Sequence, residues 1–163
     1  MMRVEQLMTR NVQTCRPDDP VSVAARIMWE RDCGCVPVVE PDDGAARVVG
    51  MITDRDICMA AYTQGRPLAD IKVESAMARG VRSCRYTDSI ATALKILEKN
   101  QLHRLPVLDQ HDHLVGLLSL ADAAREAAHE RGRTAREVTE AEIGEAVEAI
   151  SAPRSPQEVA VAA

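Results

Sequence analysis

Cys35-Val36-Pro37-Val38-Val39-Glu40 leads to Gly50-Met51-Ile52-Thr53-Asp54-Arg55-Asp56. Later in the chain, Arg104-Leu105-Pro106-Val107-Leu108-Asp109 leads to Gly116-Leu117-Leu118-Ser119-Leu120-Ala121-Asp122. Two motifs recur in the same order, so the chain contains a repeat. Working outward, residues 7–58 match residues 76–124. At an offset of 69, Met8 falls on Met77, Val12 on Val81, Cys15 on Cys84, Asp19 on Asp88, Ala24 on Ala93 and Pro37 on Pro106. Three extra residues in the first copy, around Pro41-Asp42-Asp43-Gly44, then change the offset to 66. Gly50 falls on Gly116, Thr53 on Ser119 and Asp56 on Asp122. Two copies argue for a pseudo-twofold pair, because a solenoid needs three or more repeats.

Each copy reads as β-α-β-β-α, which makes the chain an α+β protein. Residues 12–16 form a short strand. Asp18, Asp19 and Pro20 open a helix, with Pro tolerated in its first turn, and Val21, Ala24, Ala25 and Met28 give it an apolar stripe. Residues 36–39 form a buried strand. Pro37 cannot donate a ladder bond, so it is expected at the strand's first position or on an edge. Asp42-Asp43-Gly44 is a turn, residues 48–52 return, and Thr53 caps a helix to about Tyr62. The second copy repeats this over 81–85, 89–100, 105–108, 114–118 and 119–128. The segment 63–69, with Gly65 and Pro67, reads as a linker. The expected domains are 1–66, 67–133 and a C-terminal region 134–163. In that region Thr134 with Glu137, and Thr139 with Glu142, have capping-box spacing. An acidic helix is expected from about Thr139 to Ile150, with an apolar stripe of Val138 or Ile143, Val147 and Ile150. A mobile tail should follow.

Composition excludes several classes. The 163 residues are 46% hydrophobic, yet only Trp29, Tyr62 and Tyr86 are aromatic, so the core must be aliphatic. The net charge is −5, and −4 of it lies in residues 134–163. Neither the basic excess nor the stacking surface of a nucleic-acid binder is present. No apolar run reaches the ~20 residues of a membrane helix, and the N-terminus lacks a signal-peptide core, so a cytoplasmic protein is expected. The five cysteines are an odd number and read as reduced thiols. No Walker A, nucleophile elbow, HExxH or complete zinc-ligand set is present. No catalytic residue and no metal site is therefore assigned.

Each copy resembles a cystathionine-β-synthase (CBS) domain, and the pair resembles a stand-alone tandem CBS module over about residues 4–125. The resemblance implies two clefts between the paired domains that bind adenosine-containing ligands: AMP, ADP, ATP, NAD or S-adenosylmethionine. It implies that the terminal Asp of each motif bonds the ribose hydroxyls and that the Ser or Thr three residues earlier meets phosphate. The rest of each cleft would come from the other copy. Site A would combine Thr53 and Asp56 with Arg82, His103 and Arg104. Site B would combine Ser119 and Asp122 with Thr9, Gln13, Cys33 and Gly34. The chemistry suits this. A carboxylate accepts both hydroxyls of a diol, and a helix N-terminus offers N–H groups to phosphate. Arg82, Arg104 and His103 fit site A to a phosphorylated nucleotide, whereas site B has no obvious cation. The resemblance further implies a non-catalytic regulator that needs no cofactor, pairs as a homodimer and signals to a protein partner. Trp29 is expected near the dimer contact or in the core.

Other readings of the same residues are simpler. Thr53 with Asp56, and Ser119 with Asp122, work as helix caps alone. His103-Arg104 reads equally as an exposed polar pair, and His111 and His113 as a solvated turn. Cys33 and Cys35 would face one side of an extended segment, which permits a thiol-based stress sensor. Packing is the plainer reading, and Cys15 and Cys84 share it at equivalent strand positions. A ligand-free dimeric scaffold that binds its partner through the C-terminal helix is a further alternative.

Overall fold

The computed structural model describes residues 1–132 and 137–153. The Thr134 cap and the tail beyond 153 lie outside the described residues. In the first repeat, α1 (Val4–Leu7) and α2 (Val21–Arg31) precede β1 (Cys35–Asp42), β2 (Ala45–Thr53) and α3 (Asp54–Gln64). In the second, β3 (Cys84–Arg85), α4 (Ile90–Asn100), β4 (Arg104–Leu108), β5 (Leu114–Ser119) and α5 (Leu120–His129) follow, and α6 (Glu140–Ser151) closes the described chain.

Each repeat is built on an antiparallel hairpin, β1 with β2 and β4 with β5. At the tip of the first, Asp43 and Gly44 have φ of 44° and 83°. A two-residue turn needs this left-handed pair to match the strands' twist, and Asp-Gly supplies it. Both hairpins are irregular at the same point, after Val38 and after Val107. β3 adds in parallel to the other side of β4. In the first repeat the expected strand 12–16 shrinks to one parallel bridge, Cys15 to Val38.

Of the two positions expected for Pro37, the structure takes the edge: it is the third residue of β1, which lies in a two-stranded sheet and has one further bridge on its other side. Cys15 N–H donates to the Pro37 carbonyl at 3.2 Å, and Val39 N–H donates to the Cys15 carbonyl at 2.9 Å. The bridge therefore asks Pro37 for a carbonyl only, so its missing N–H leaves no gap. Pro106 stands likewise inside β4, the central strand of its sheet. Pro20 is displaced, being the N-cap of α2 and not part of its first turn. The Asp19 carboxylate accepts from Arg16 N–H at 2.7 Å, so it closes the preceding turn and does not cap the helix.

The chain divides into two compact units. One is Val12–Val81, and the other joins Met1–Asn11 to the described residues from Arg82 onward. The units are therefore offset from the sequence repeats, and hydrogen bonds and burial give the reason. Val4 is fully buried with Ile90, Leu97, Leu105 and Leu118, and its N–H donates to Asp88 O at 2.9 Å. Thr9 and Leu117 exchange both backbone bonds, at 2.9 and 3.0 Å. In the Val12–Val81 unit the equivalent arm fills the same place. Ile71 and Val73 are buried with Val21, Val36, Val38 and Ile52, and Ala78 and Met51 exchange bonds at 2.8 and 3.0 Å. The expected linker is therefore mostly structured: its first residues end α3, and Leu68–Asp70 forms a 3-10 turn.

Glycine at the head of each second motif has a packing cause. A Cβ on Gly50 would lie 2.5 Å from Met77 Sδ and 3.1 Å from Ala78 O. One on Gly116 would lie 2.6 Å from Met8 Sδ and 3.0 Å from Thr9 O. These glycines let the arm's backbone approach the strand, so they are not phosphate loops.

The acidic C-terminal helix forms as α6, capped by Thr139, whose Oγ1 accepts from Glu142 N–H at 3.2 Å. It packs on α4 and α5. Its buried side is Val138, Ala146 and Ile150, with Ile143 partly buried. Val147 departs from the expected stripe and is 46% exposed. Polar contacts hold both ends. The buried Glu130 carboxylate accepts from Glu137 and Val138 N–H at 2.7 and 3.0 Å. Gln101 Nε2 donates to the carbonyls of Ala149 and Ala152 at 3.2 and 2.9 Å.

Candidate functional site

Thr53 and Ser119 are each the last residue of a strand and the N-cap of the next helix. Extended backbone at the cap turns the side chain back over the first helical turn. Asp56 N–H donates to Thr53 Oγ1 at 3.2 Å, while Thr53 N–H and Oγ1 donate to Asp56 Oδ2 at 2.8 and 2.7 Å. Ser119 and Asp122 repeat this at 3.2, 2.8 and 2.6 Å. Both pairs are therefore complete capping boxes with Asp in place of Glu. Each fixes a carboxylate through one oxygen and leaves the other to face elsewhere.

The second oxygen distinguishes the repeats. Asp56 Oδ1 has no hydrogen-bond partner among the described residues. Asp122 Oδ1 is paired with the Arg125 guanidinium. The residue equivalent to Arg125 is Met59. This corrects the expectation that site B lacks a cation. Arg125 belongs to neither motif, and only its spacing of three residues from Asp122 on a helix could have signalled it.

The helix ends also differ from expectation. A helix starts with four N–H groups unpaired by the helix itself. At α3 all four are engaged. Thr53 N–H is held by Asp56, Asp54 N–H by Gly34 O at 3.2 Å, Arg55 N–H by Asp54 Oδ1 at 2.7 Å, and Asp56 N–H by Thr53. At α5, Ser119, Leu120 and Asp122 N–H are engaged, with Leu120 donating to His103 O at 3.0 Å. At α3 these contacts satisfy all the donors that were expected to meet phosphate, whereas at α5 Ala121 N–H has no partner among the described residues.

Among the other expected site residues, Arg104 stands opposite Ser119 in the β4–β5 ladder, so the two side chains share a face. Thr9 joins the same strand at Leu117, two residues before Ser119. Arg82, His103, Thr9 and Gln13 are exposed, and Arg104, Cys33 and Gly34 are half-buried. The side chains of Arg82, His103 and Arg104 make no hydrogen bond or ion pair among the described residues. A separate cavity of about 450 Å³ opens at the turn end of the β1–β2 hairpin, lined by Thr14, Cys15, Arg16, Asp19 and residues 41–46 in part. It contains none of these residues.

The thiols follow packing. Cys15, Cys35 and Cys84 are buried, and burial pushes the thiols of Cys15 and Cys84 up to about 12. Thiolate, the reactive form, is therefore suppressed at both. Cys33 is not in the strand with Cys35. Its N–H donates to Met28 O at 3.1 Å, just past the left-handed Asp32 that ends α2, so the same-side expectation does not hold. Trp29 is 88% exposed and is not a core residue. His111 is exposed, and the backbone N–H groups of His111 and His113 donate to Asp109 Oδ1 at 2.8 and 2.9 Å. Among the described residues no group of three or more His, Cys, Asp or Glu could hold a metal ion, and no helix is long and apolar enough to cross a membrane.

Comparison with known proteins agrees with this architecture. The CBS domain family model matches residues 4–62 and again 70–129. The chain is 35% identical over 124 residues to the CBS domain-containing protein YhcV of Bacillus subtilis, covering 76% of this chain and 84% of that one. Its fold is similar to the crystal structure of Hypoxic Response Protein I with two coordinated zinc ions. There the TM-score is 0.67 and the identity 29%, over 76% of this chain and 98% of that one; the corresponding relative is from Mycobacterium tuberculosis. It also shares the fold of CBSX2 in complex with AMP, with a TM-score of 0.67 at 24% identity, over 79% of this chain and 98% of that one. Two capped hairpin–helix units, two matching segments and these likenesses together establish that the chain belongs to the CBS-domain family.

Proposed function

We propose that this protein is a non-catalytic regulatory module that binds an adenosine-containing nucleotide and passes metabolic state to a protein partner. What supports the reading is the Asp56 carboxylate, immobilised through Oδ2 by its capping box with Oδ1 left unpartnered. A ribose diol offers two hydroxyl donors, and a fixed carboxylate accepts them without reorganising. The relative CBSX2 was solved with AMP, which carries the same diol. Because the first-turn amides of α3 are engaged, phosphate contacts would fall to side chains.

Titration calorimetry of the purified protein against AMP, ATP, NAD and S-adenosylmethionine tests this. Saturable binding that Asp56→Ala weakens at least tenfold is expected. Weakening of the phosphorylated ligands by Arg82→Ala or Arg104→Ala would assign the phosphate. Absence of binding to all four, with co-purified nucleotide removed, would overturn the reading. The same reading has two copies pairing near Trp29, which is 88% exposed. Sedimentation of the wild type and of Trp29→Ala tests that, and a monomeric wild type would end it.

A further inference from the structure

We infer that Arg125 is a built-in competitor that closes the second repeat's carboxylate to ligand, so that the two equivalent sites differ in affinity by design of one side chain. The inference rests on the reading of Asp56 and Asp122 as ribose acceptors and adds the regulation of the second of them. Asp122 is only 8% exposed. Ser119 N–H and Oγ hold its Oδ2 at 2.8 and 2.6 Å, and Arg125 pairs with its Oδ1. The carboxylate is thus satisfied inside its own helix. In the first repeat the capping box recurs on Thr53 and Asp56, but Met59 stands in place of the arginine and the carboxylate is only partly buried.

The chemistry of competition follows. Arg125 is tethered three residues from Asp122 on one helix face, so it stays within reach of the carboxylate after it swings out. A diol can use Oδ1 only in the fraction of molecules in which the guanidinium has swung out. Apparent affinity falls in proportion to that fraction. The Arg125 side chain is 68% exposed, so it can swing out without disturbing the core. Closure is therefore local and reversible.

The test is calorimetric stoichiometry with AMP as probe, on the full chain and on Arg125→Met, Arg125→Lys, Met59→Arg and Arg125→Met/Asp122→Ala, with circular dichroism to verify folding. The wild type should bind one AMP per chain in the Asp56-dependent manner. Arg125→Met should bind a second, at least tenfold tighter than the wild type binds at that position, and Asp122→Ala should remove it. Arg125→Lys keeps a cation three residues from Asp122 and should stay at one. Met59→Arg should weaken the first site at least tenfold. Two AMP per wild-type chain, or one per Arg125→Met chain with Asp56-dependent binding intact, would overturn the inference and leave the reading of Asp56 standing. No AMP bound by any folded variant would overturn both.

Discussion

The Val12–Val81 unit and the unit that begins at Arg82 share a frame almost residue for residue. Both have a bulged hairpin with an interior proline, a glycine pressed against a methionine of the arm, and a helix capped by a hydroxyl and an Asp. They differ in what surrounds the cap. The first repeat has Gly34, Cys35 and Met59 where the second has His103, Arg104 and Arg125. One carboxylate keeps an oxygen unpartnered among the described residues, and the other is closed by Arg125. The second unit also carries α6 on its helices, whereas the first exposes Trp29 and Tyr62. The frame is set by burial and capping, which tolerate few substitutions. Ligand chemistry is set by neighbours that the frame leaves free to vary.

Experiments can break or sharpen this comparison. The largest effect should come from the cores. Ile52 and Leu118 are equivalent and fully buried, so Ile52→Ala and Leu118→Ala should each cost about 2–5 kcal/mol. Urea unfolding reads whether the loss is equal. One shared transition lowered by either variant means the units unfold together, and two separated transitions mean they do not.

Gly50→Ala and Gly116→Ala come next. Each new Cβ meets a methionine sulfur and a backbone carbonyl. Overpacking of that kind costs about 1–3 kcal/mol. Thermal melts should fall alike for the two variants, and a neutral result at either position would mean its arm is free to shift.

The caps are smaller and separate the repeats. Thr53→Ala should cost about 1 kcal/mol. Ser119→Ala should cost less, because Arg125 still holds Asp122 after the hydroxyl is lost. Equal losses in chemical denaturation would argue that Arg125 contributes nothing to holding that carboxylate.

The smallest effect concerns pH at the second hairpin's turn. Asp109 lies below its ordinary value of 3.8, chiefly because the His113 N–H donates to it, with the His111 N–H adding to the effect. A lowered folded-state value means the ionised form favours the fold. That contribution is present above about pH 3.8 and is lost as pH falls through the folded value. The amide shifts of His111 and His113 should move together below that pH in nuclear magnetic resonance spectra, and Asp109→Asn should abolish the step.

Much of the frame was legible in the sequence because it rests on local rules. Asp43-Gly44 marks its own turn, Thr53 and Asp56 mark their own cap, and the apolar stripe of α2 marks its buried face. Pro37 left two positions open because its neighbour across the sheet is twenty-two residues away, and only that neighbour decides whether an N–H is missed. Arg125 was missed because it stands outside both motifs and because its equivalent is Met59.

The sequence by itself determined that there are two copies, where each helix begins and which carboxylates are presented, since repetition, capping and alternation act over a few residues. Tertiary structure alone decided that each arm, Met1–Asn11 and the segment around Val73, packs into the unit it now shares. It also decided that the α3 amides are all engaged and that only one carboxylate is left open. Those outcomes depend on which groups meet across a folded surface, where burial and hydrogen-bond competition are settled between residues far apart in the chain.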